Sequence, residues 1–321
     1  MRVSFFGGGS DLPEYYEAHG GAVLSTAIDK YVYVILRQLP PFLGYKCEAV
    51  YSKIERVDEP RLFQHPLIRE CLTFTQTNGV RLNYDADLPS HSGLGTSSSF
   101  AVGMLNALYA MKGMTVDADR LAKDAIHVGR VFCNVAGGLQ DQIAAAFGGL
   151  NKVDFSRDGY VVTPLRVSQS RLGSLASRLM LFYTGMPHFS SDVQKSLRAA
   201  IPNKEADLQK IRSFVDRGAR VLESSDDLDE FGELLHETWM LKRQLTKQIS
   251  NGVIDDAYSS ALVAGAIGGK ILGSGGGGFM LLYVGEGEQA SVRCALSHML
   301  EVPFTLEPNG SEIIYSLSDT D

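Results

Sequence analysis

The stretch Pro89-Ser90-His91-Ser92-Gly93-Leu94-Gly95-Thr96-Ser97-Ser98-Ser99 constrains this chain more than any other. A glycine turn leads into four consecutive hydroxyl residues, and an apolar helical run follows from Phe100 to Met111. The first turn of a helix leaves backbone N–H groups without partners and carries partial positive charge. Glycines ahead of it let the backbone approach an anion closely. Such a junction suits a phosphate. The hydroxyls can cap the helix, bond phosphate oxygens or reach a magnesium ion. Taken alone, the stretch is equally an ordinary Ser/Thr N-cap after a loop. It is not a Walker A loop, because no lysine follows the second glycine.

A chain of 321 residues has room for two domains. With 45% hydrophobic and 21% charged residues it has the make-up of a globular protein. The net charge of −7, without a long basic run, argues against nucleic acid or an anionic membrane as the main partner. Cys47, Cys71, Cys133 and Cys294 are scattered without a C-x-x-C pair, so neither a zinc site nor a disulfide framework is expected. The apolar stretch after Met1 is too short for a signal peptide, and no apolar run is long enough to span a bilayer. A cytoplasmic protein is expected.

The remaining glycines gather at Gly7–Gly9, Gly137–Gly138, Gly148–Gly149, Gly268–Gly269 and Gly273–Gly278, each beside an apolar segment. That placement suggests turns at element ends. Val3–Phe6, Arg81–Tyr84, Leu179–Tyr183 and Phe279–Val284 are expected strands, Tyr31–Leu36 a buried one, and Ile313–Leu317 a final one. Helices are expected over 100–112, 117–132 and 141–147, the last stopped by Gly148. Leu208, Ile211, Val215, Ala219 and Leu222 form one amphipathic stripe; Phe231, Leu234, Thr238, Leu241, Leu245 and Ile249 form a second. A third helical run covers Ile254 to Ile267. Strands and helices mix without regular βαβ alternation, which favours an α+β fold in two domains, 1–165 and 166–321.

Gly7-Gly8-Gly9-Ser10-Asp11, Ser92–Ser99 and Gly273–Gly278, with Gln140-Asp141-Gln142 between the last two, occur in an order that resembles the GHMP kinases (galactokinase, homoserine, mevalonate and phosphomevalonate kinases). The resemblance covers nearly the whole chain. Within that superfamily, Arg2 to Pro13, Gly20–Leu24 and Gly269–Gly278 look most like the sugar kinases acting on D-glycero-D-manno-heptose 7-phosphate. Those enzymes phosphorylate the anomeric hydroxyl and give the 1,7-bisphosphate, a precursor of nucleotide-heptose for surface glycans. L-fucose kinases have similar motifs. The resemblance implies a two-domain GHMP-kinase-like fold with a ferredoxin-like C-terminal domain, and an active site between the domains.

The same resemblance assigns roles. Gly93, Leu94, Gly95, Thr96, Ser97 and Ser98 would cradle the phosphates of ATP, with Ser97 reaching Mg2+. Gly275 and Gly276 would face the nucleotide side. Asp141 matches the catalytic carboxylate, and Arg2 an arginine placed near it. Gly8, Gly9, Ser10 and Asp11 would bind the sugar. His188, Lys242 and Arg243 are candidates for the 7-phosphate, although Lys242 and Arg243 sit on an amphipathic helix where solvated cations are ordinary. A homodimer is a further expectation.

Two departures accompany the resemblance. Where a Glu-Arg-Glu-like cluster would help hold magnesium, this chain has Gly129-Arg130-Val131; Asp124 is nearby at a different spacing. After Tyr183-Thr184-Gly185, where an arginine is common, it has Met186-Pro187-His188. A non-catalytic nucleotide- or sugar-binding paralogue is therefore the competing reading. A dinucleotide-binding oxidoreductase fails on spacing, since Gly7-Gly8-Gly9 is not G-x-G-x-x-G opening a helix.

Overall fold

The computed structural model describes residues 1–90, 92–135, 137–186 and 190–316, the side chains of 190–192 excepted. The strands are β1 (Arg2–Phe6), β2 (Gly21–Ala27), β3 (Val32–Gln38), β4 (Cys47–Val50), β5 (Ile54–Val57), β6 (Val80–Ala86), β7 (Leu150–Ser156), β8 (Gly159–Pro164), β9 (Leu179–Tyr183), β10 (Ala266–Ile271), β11 (Phe279–Val284) and β12 (Leu300–Glu301). The helices are α1 (Pro13–His19), α2 (Pro66–Phe74), α3 (Thr96–Met111), α4 (Ala118–His127), α5 (Gln140–Phe147), α6 (Gln169–Arg178), α7 (Ser190–Ala200), α8 (Glu205–Glu223), α9 (Asp229–Lys242), α10 (Gly252–Val263) and α11 (Gln289–Ala295). Among the described residues no helix is long and apolar enough to cross a membrane.

Among the described residues three four-stranded sheets result, in the orders β1-β2-β7-β8, β3-β6-β4-β5 and β10-β11-β9-β12. All pairs in the last sheet are antiparallel. Counted along the chain its strands lie 2-3-1-4, with helices joining the first strand to the second and the third to the fourth. That is the ferredoxin-like arrangement. Its central strands read as unbroken apolar runs because both faces are covered. Phe279, Leu281 and Tyr283 enter one core while Met280, Leu282 and Val284 enter another, and β9 divides its residues the same way.

The first of these cores positions the site. It packs Val3, Phe5 and Phe6 of β1, Leu24 of β2 and Leu94 of the glycine loop against Leu181, Phe214, Phe231, Leu272 and Leu281. Phe231 meets Phe5 and Phe6 edge-on, at centroid distances of 5.1 and 5.0 Å. The end of β1, the loop before α3 and the β10–β11 turn are thereby brought together from residues nearly the whole chain apart.

Several expected elements differ. Tyr31–Leu36 is not a buried strand. β3 is a sheet edge with one covered face, so Val34 and Leu36 pack inward while Tyr33 and Ile35 are 41% and 61% exposed. The helix expected over 117–132 ends at His127 and passes into a π-helical turn, Val128–Phe132. Leu245 and Ile249 are buried, but α9 stops before them. The run to Ile267 is α10 followed by the start of β10. Residues 313–316 form no strand, and Leu317 lies outside the described residues.

Gly218 of α8 has a packing role. A Cβ there would lie 2.4 Å from Cε2 of Phe6. Helix propensity favours alanine over glycine by about 1 kcal/mol, whereas overpacking costs about 1–3 kcal/mol. Phe6 is pinned by Phe231, so the clash wins. Gly218→Ala is expected to lower unfolding free energy by up to about 2 kcal/mol in urea melts; a higher midpoint contradicts the packing.

Candidate active site

Arg2 organises the centre. Its backbone N–H donates to the carbonyl of Leu94 at 3.1 Å. Its side chain is buried, with Nε and Nη2 on Oδ1 of Asp141 at 2.8 and 2.6 Å. Nη1 donates to the carbonyl of Gly93 at 2.6 Å. A guanidinium offers several donors in a fixed plane, so one side chain can hold the glycine loop and a carboxylate together. Asp141 lies in the first turn of α5, where the helix dipole favours negative charge. Both donors fall on one oxygen, which leaves Oδ2 without a hydrogen-bond donor among the described residues.

The glycine loop can be nothing but bare backbone. Gly93 (φ +80°) and Gly95 (φ +76°) are left-handed. A Cβ on Gly93 would sit 2.7 Å from the carbonyl oxygen of Leu272, and one on Gly95 3.5 Å from Asp141. Gly95 supplies no side-chain cap to α3, and the first N–H with a helical partner is that of Ser99, bonded to Gly95 at 2.9 Å. No side chain among the described residues caps the preceding N–H groups. Ser97 is exposed and Ser98 half-buried. Thr96 differs from expectation: its hydroxyl is buried, 3.4 Å from that of Ser92 and 3.8 Å from the sulfur of Met1.

The turn Gly273–Gly278 is tied to this loop by the N–H of Phe279, 3.2 Å from the carbonyl of Ser92. Gly275 (φ +106°) packs where a Cβ would meet the Ile249 carbonyl at 2.7 Å, and the N–H of Gly276 reaches that same carbonyl at 2.8 Å.

At the first motif, the Ser10 hydroxyl lies 2.8 Å from the carbonyls of both Gly7 and Ala22 and accepts the N–H of Ala22 at 3.1 Å. It is fully buried and holds the turn, so any contribution to ligand binding comes from backbone. Asp11 is buried and accepts from the N–H of Gly9 and from Nε2 of Gln140, both at 3.0 Å. Gly138 fits only as glycine, since its Cβ would lie 1.6 Å from Oδ2 of Asp11. Burial pushes the Asp11 carboxyl pKa up, the Gly9 N–H opposes, and the Asp141 charge adds to the rise. Gly8 has open space above it beside Gln140. Helix α7 touches all of these parts: Cβ atoms on Gly137, Gly9 and Gly276 would come within 4 Å of Gln194, Leu197 and Val193.

Two lysines complete the cluster. Lys242 is buried rather than solvated, with Nζ 2.6 Å from the carbonyl of Gly273. Burial first, then the Arg2 charge, lowers its pKa to about 8, and Asp11 opposes. Lys270 was not singled out from sequence. Its Nζ reaches the carbonyls of Ser4 and Phe5 at 2.9 and 2.8 Å. Ser4 pairs with Ser25 and Phe6 with Leu24, so Phe5 is a bulge residue whose carbonyl the ladder does not use. Burial, Lys242 and Arg2 together hold the Lys270 pKa well below the usual lysine range. Its only sequence signal is a charge set between glycines and an apolar pair, Gly268-Gly269-Lys270-Ile271-Leu272.

Other candidates lie elsewhere. Arg243 pairs with Asp255 at 2.6 Å. His188 is outside the described residues. Asp124 is committed to Tyr109 and Arg120, both at 2.6 Å. Among the described residues no three His, Cys, Asp or Glu side chains are grouped to hold a metal. Magnesium keeps waters and often needs only one or two protein ligands beside substrate phosphates. The exposed hydroxyl of Ser97 at an uncapped helix start fits that demand.

A phosphate-ready loop beside a carboxylate defines a phosphotransferase with a hydroxyl acceptor. The chain belongs to the GHMP kinase family, whose N-terminal domain model matches residues 63–149 and whose C-terminal model matches residues 220–302. It is 25% identical over 300 residues to the D-glycero-alpha-D-manno-heptose 7-phosphate kinase of Campylobacter jejuni, covering 88% of this chain and 87% of the relative. It is 24% identical over 317 residues to the bifunctional fucokinase/GDP-fucose pyrophosphorylase of Arabidopsis thaliana, covering 90% of this chain and 30% of that longer protein. The fold matches a D-glycero-D-manno-heptose 1-phosphate kinase from Bacteroides thetaiotaomicron with a TM-score of 0.72 and 23% identity, over 98% of both chains.

Lys242 gives a pH test. Its folded pKa of about 8 lies below the unfolded value of 10.5, so between these values the unfolded chain binds more protons. This group therefore makes stability rise with pH across that window, and its cost is fully present below it. Lys242→Met should be more stable than wild type near pH 7, and that advantage should shrink by about 2–3 kcal/mol by pH 10.5. Parallel urea melts at the two pH values measure it. A difference independent of pH would contradict a buried, charged Lys242.

Proposed function

We propose that this protein is an ATP-dependent sugar kinase that phosphorylates the anomeric hydroxyl of D-glycero-D-manno-heptose 7-phosphate, giving the 1,7-bisphosphate for nucleotide-heptose and surface-glycan synthesis. The observation that carries the reading is the Arg2 bridge between Asp141 and the Gly93 loop, with Asp11 buried alongside. In this reading an N-terminal domain of residues 1–165 and a C-terminal domain of residues 166–321 share the site.

The phosphates of ATP lie on the free N–H groups at the start of α3, from Gly93 to Ser98, with Gly275 and Gly276 on the nucleotide's other side. Ser97 would hold the magnesium that arrives with ATP, which would supply neutralisation of phosphate charge. The sugar lies over Gly8, Gly9 and the Ser10 backbone, with ring hydroxyls donating to Asp11. Asp141 orients the anomeric hydroxyl and accepts its proton as the new O–P bond forms and the bond from the γ-phosphorus to the leaving oxygen of ADP breaks. Arg2 fixes that carboxylate and stabilises charge on the transferred group. Phosphoryl transfer asks mainly for such alignment and electrostatics.

Steady-state ADP release with Mg·ATP and a panel of heptose 7-phosphates, L-fucose and galactose tests this. The expected result is turnover with the heptose 7-phosphate, reduced about 10²–10⁴-fold in Asp141→Asn with ATP binding kept. Preference for L-fucose would favour the second reading, to which the Arabidopsis relative points. Binding without turnover would favour a non-catalytic paralogue, in keeping with Gly129 and Val131 where acids were expected.

A further inference from the structure

A pocket of about 460 Å³ opens between α1, α4 and the π-helical turn at 128–132. Its walls include Pro13, Tyr16, Lys123, Arg130, Leu139 and Tyr160. Two of these are chain neighbours of the proposed sugar site. Pro13 follows Asp11 by two residues, and Leu139 precedes Asp141 by two. Gln140, next to Leu139, donates to Asp11. The pocket thus lies beside the chain segments that carry Asp11 and Asp141.

Its charges are unevenly satisfied. Lys123 is bonded to Asp119 at 2.6 Å, and the Tyr160 hydroxyl also donates to Asp119, at 3.0 Å. His127 and Glu17 are exposed at the rim. Arg130 makes no hydrogen bond or ion pair among the described residues, and its Nη1 is buried without an acceptor. Its neighbours Gly129 and Val131 bring no acid. A buried donor of a charged group left without a partner is costly. Arg130 lines the cavity, and a guanidinium there is also suited to a phosphate. π-helical turns often occur at functional sites, and this one carries the arginine to the pocket.

We propose that this pocket receives the phosphate at the far end of a sugar-phosphate substrate, with Arg130 as its principal ligand and Lys123 in support. The inference rests on the sugar-kinase reading and adds the group that distinguishes a sugar phosphate from a free sugar. Exposed Glu17 opposes the anion.

The test compares KM for D-glycero-D-manno-heptose 7-phosphate with KM for the unphosphorylated heptose, in wild type, Arg130→Gln and Arg130→Lys of matched melting temperature. Arg130→Gln should raise KM for the phosphorylated sugar about 10–100-fold and leave KM for ATP and for the free heptose unchanged. Arg130→Lys should recover part of the loss, and Glu17→Gln should lower the same KM. Equal effects on both sugars would overturn the subsite. If wild type turns over no heptose 7-phosphate, the kinase reading has failed on its own. Calorimetry with glucose 6-phosphate and with inorganic phosphate then decides the subsite: binding lost in Arg130→Gln supports it, and binding absent or unaltered overturns it.

Discussion

The bridge made by the Arg2 guanidinium is the interaction on which the rest of the site depends. Two hydrogen bonds and an ion-pair contact from one buried side chain join the first strand, the glycine loop before α3 and the first turn of α5. None of these is near another in sequence, and two of the three are short segments that cannot hold a position by themselves. The backbone bond from Arg2 to Leu94 and the burial of the Leu94 side chain set the loop's height. The guanidinium then sets the distance between loop and carboxylate. In the proposed reaction an acceptor hydroxyl and a γ-phosphate must be held in alignment, and this one contact would fix both sides.

Around it the fold gathers an unusual amount of buried charge. Arg2, Lys242 and Lys270 face Asp11 and Asp141, and each lysine is anchored to backbone carbonyls rather than to a carboxylate. Buried cations with incomplete ion pairing lower stability, as the depressed lysine pKa values show. Arg2 and Lys242 would also hold an electropositive field in place before any anion arrives, which is the form of stabilisation that phosphoryl transfer uses. Lys270 has a structural part: it closes the bulge in β1 and binds the C-terminal sheet to the strand that carries Arg2.

Much of this was legible in the sequence wherever backbone geometry demands glycine. Gly93, Gly138 and Gly275 sit where a side chain would strike a carbonyl or a carboxylate, and Gly95 holds a left-handed backbone, so their spacing recorded the site directly. The ferredoxin-like sheet was legible in the apolar runs at 179–183 and 279–284, although the two-residue β12 was too short to signal itself. What local pattern could not carry was long-range placement. Lys242 looked like a solvated cation on an amphipathic helix, and only the docking of β1 and the 273–278 turn buries it. Thr96 and Ser97 are adjacent hydroxyls, and the helix phase that turns one inward and the other outward depends on Met1 and Ser92. Tyr31–Leu36 had the composition of a buried strand, but the core packs against only one of its faces.

The account stands on Arg2 and Asp141 acting as one unit, and a double-mutant cycle on kcat measures that most directly, using Arg2→Met, Asp141→Asn and the pair. If the guanidinium works by holding that carboxylate against the glycine loop, the double variant loses about as much rate as the worse single variant, because the second substitution removes an interaction already gone. Rate losses that multiply would mean that the two residues act independently, and the bridge would then be no more than a structural contact.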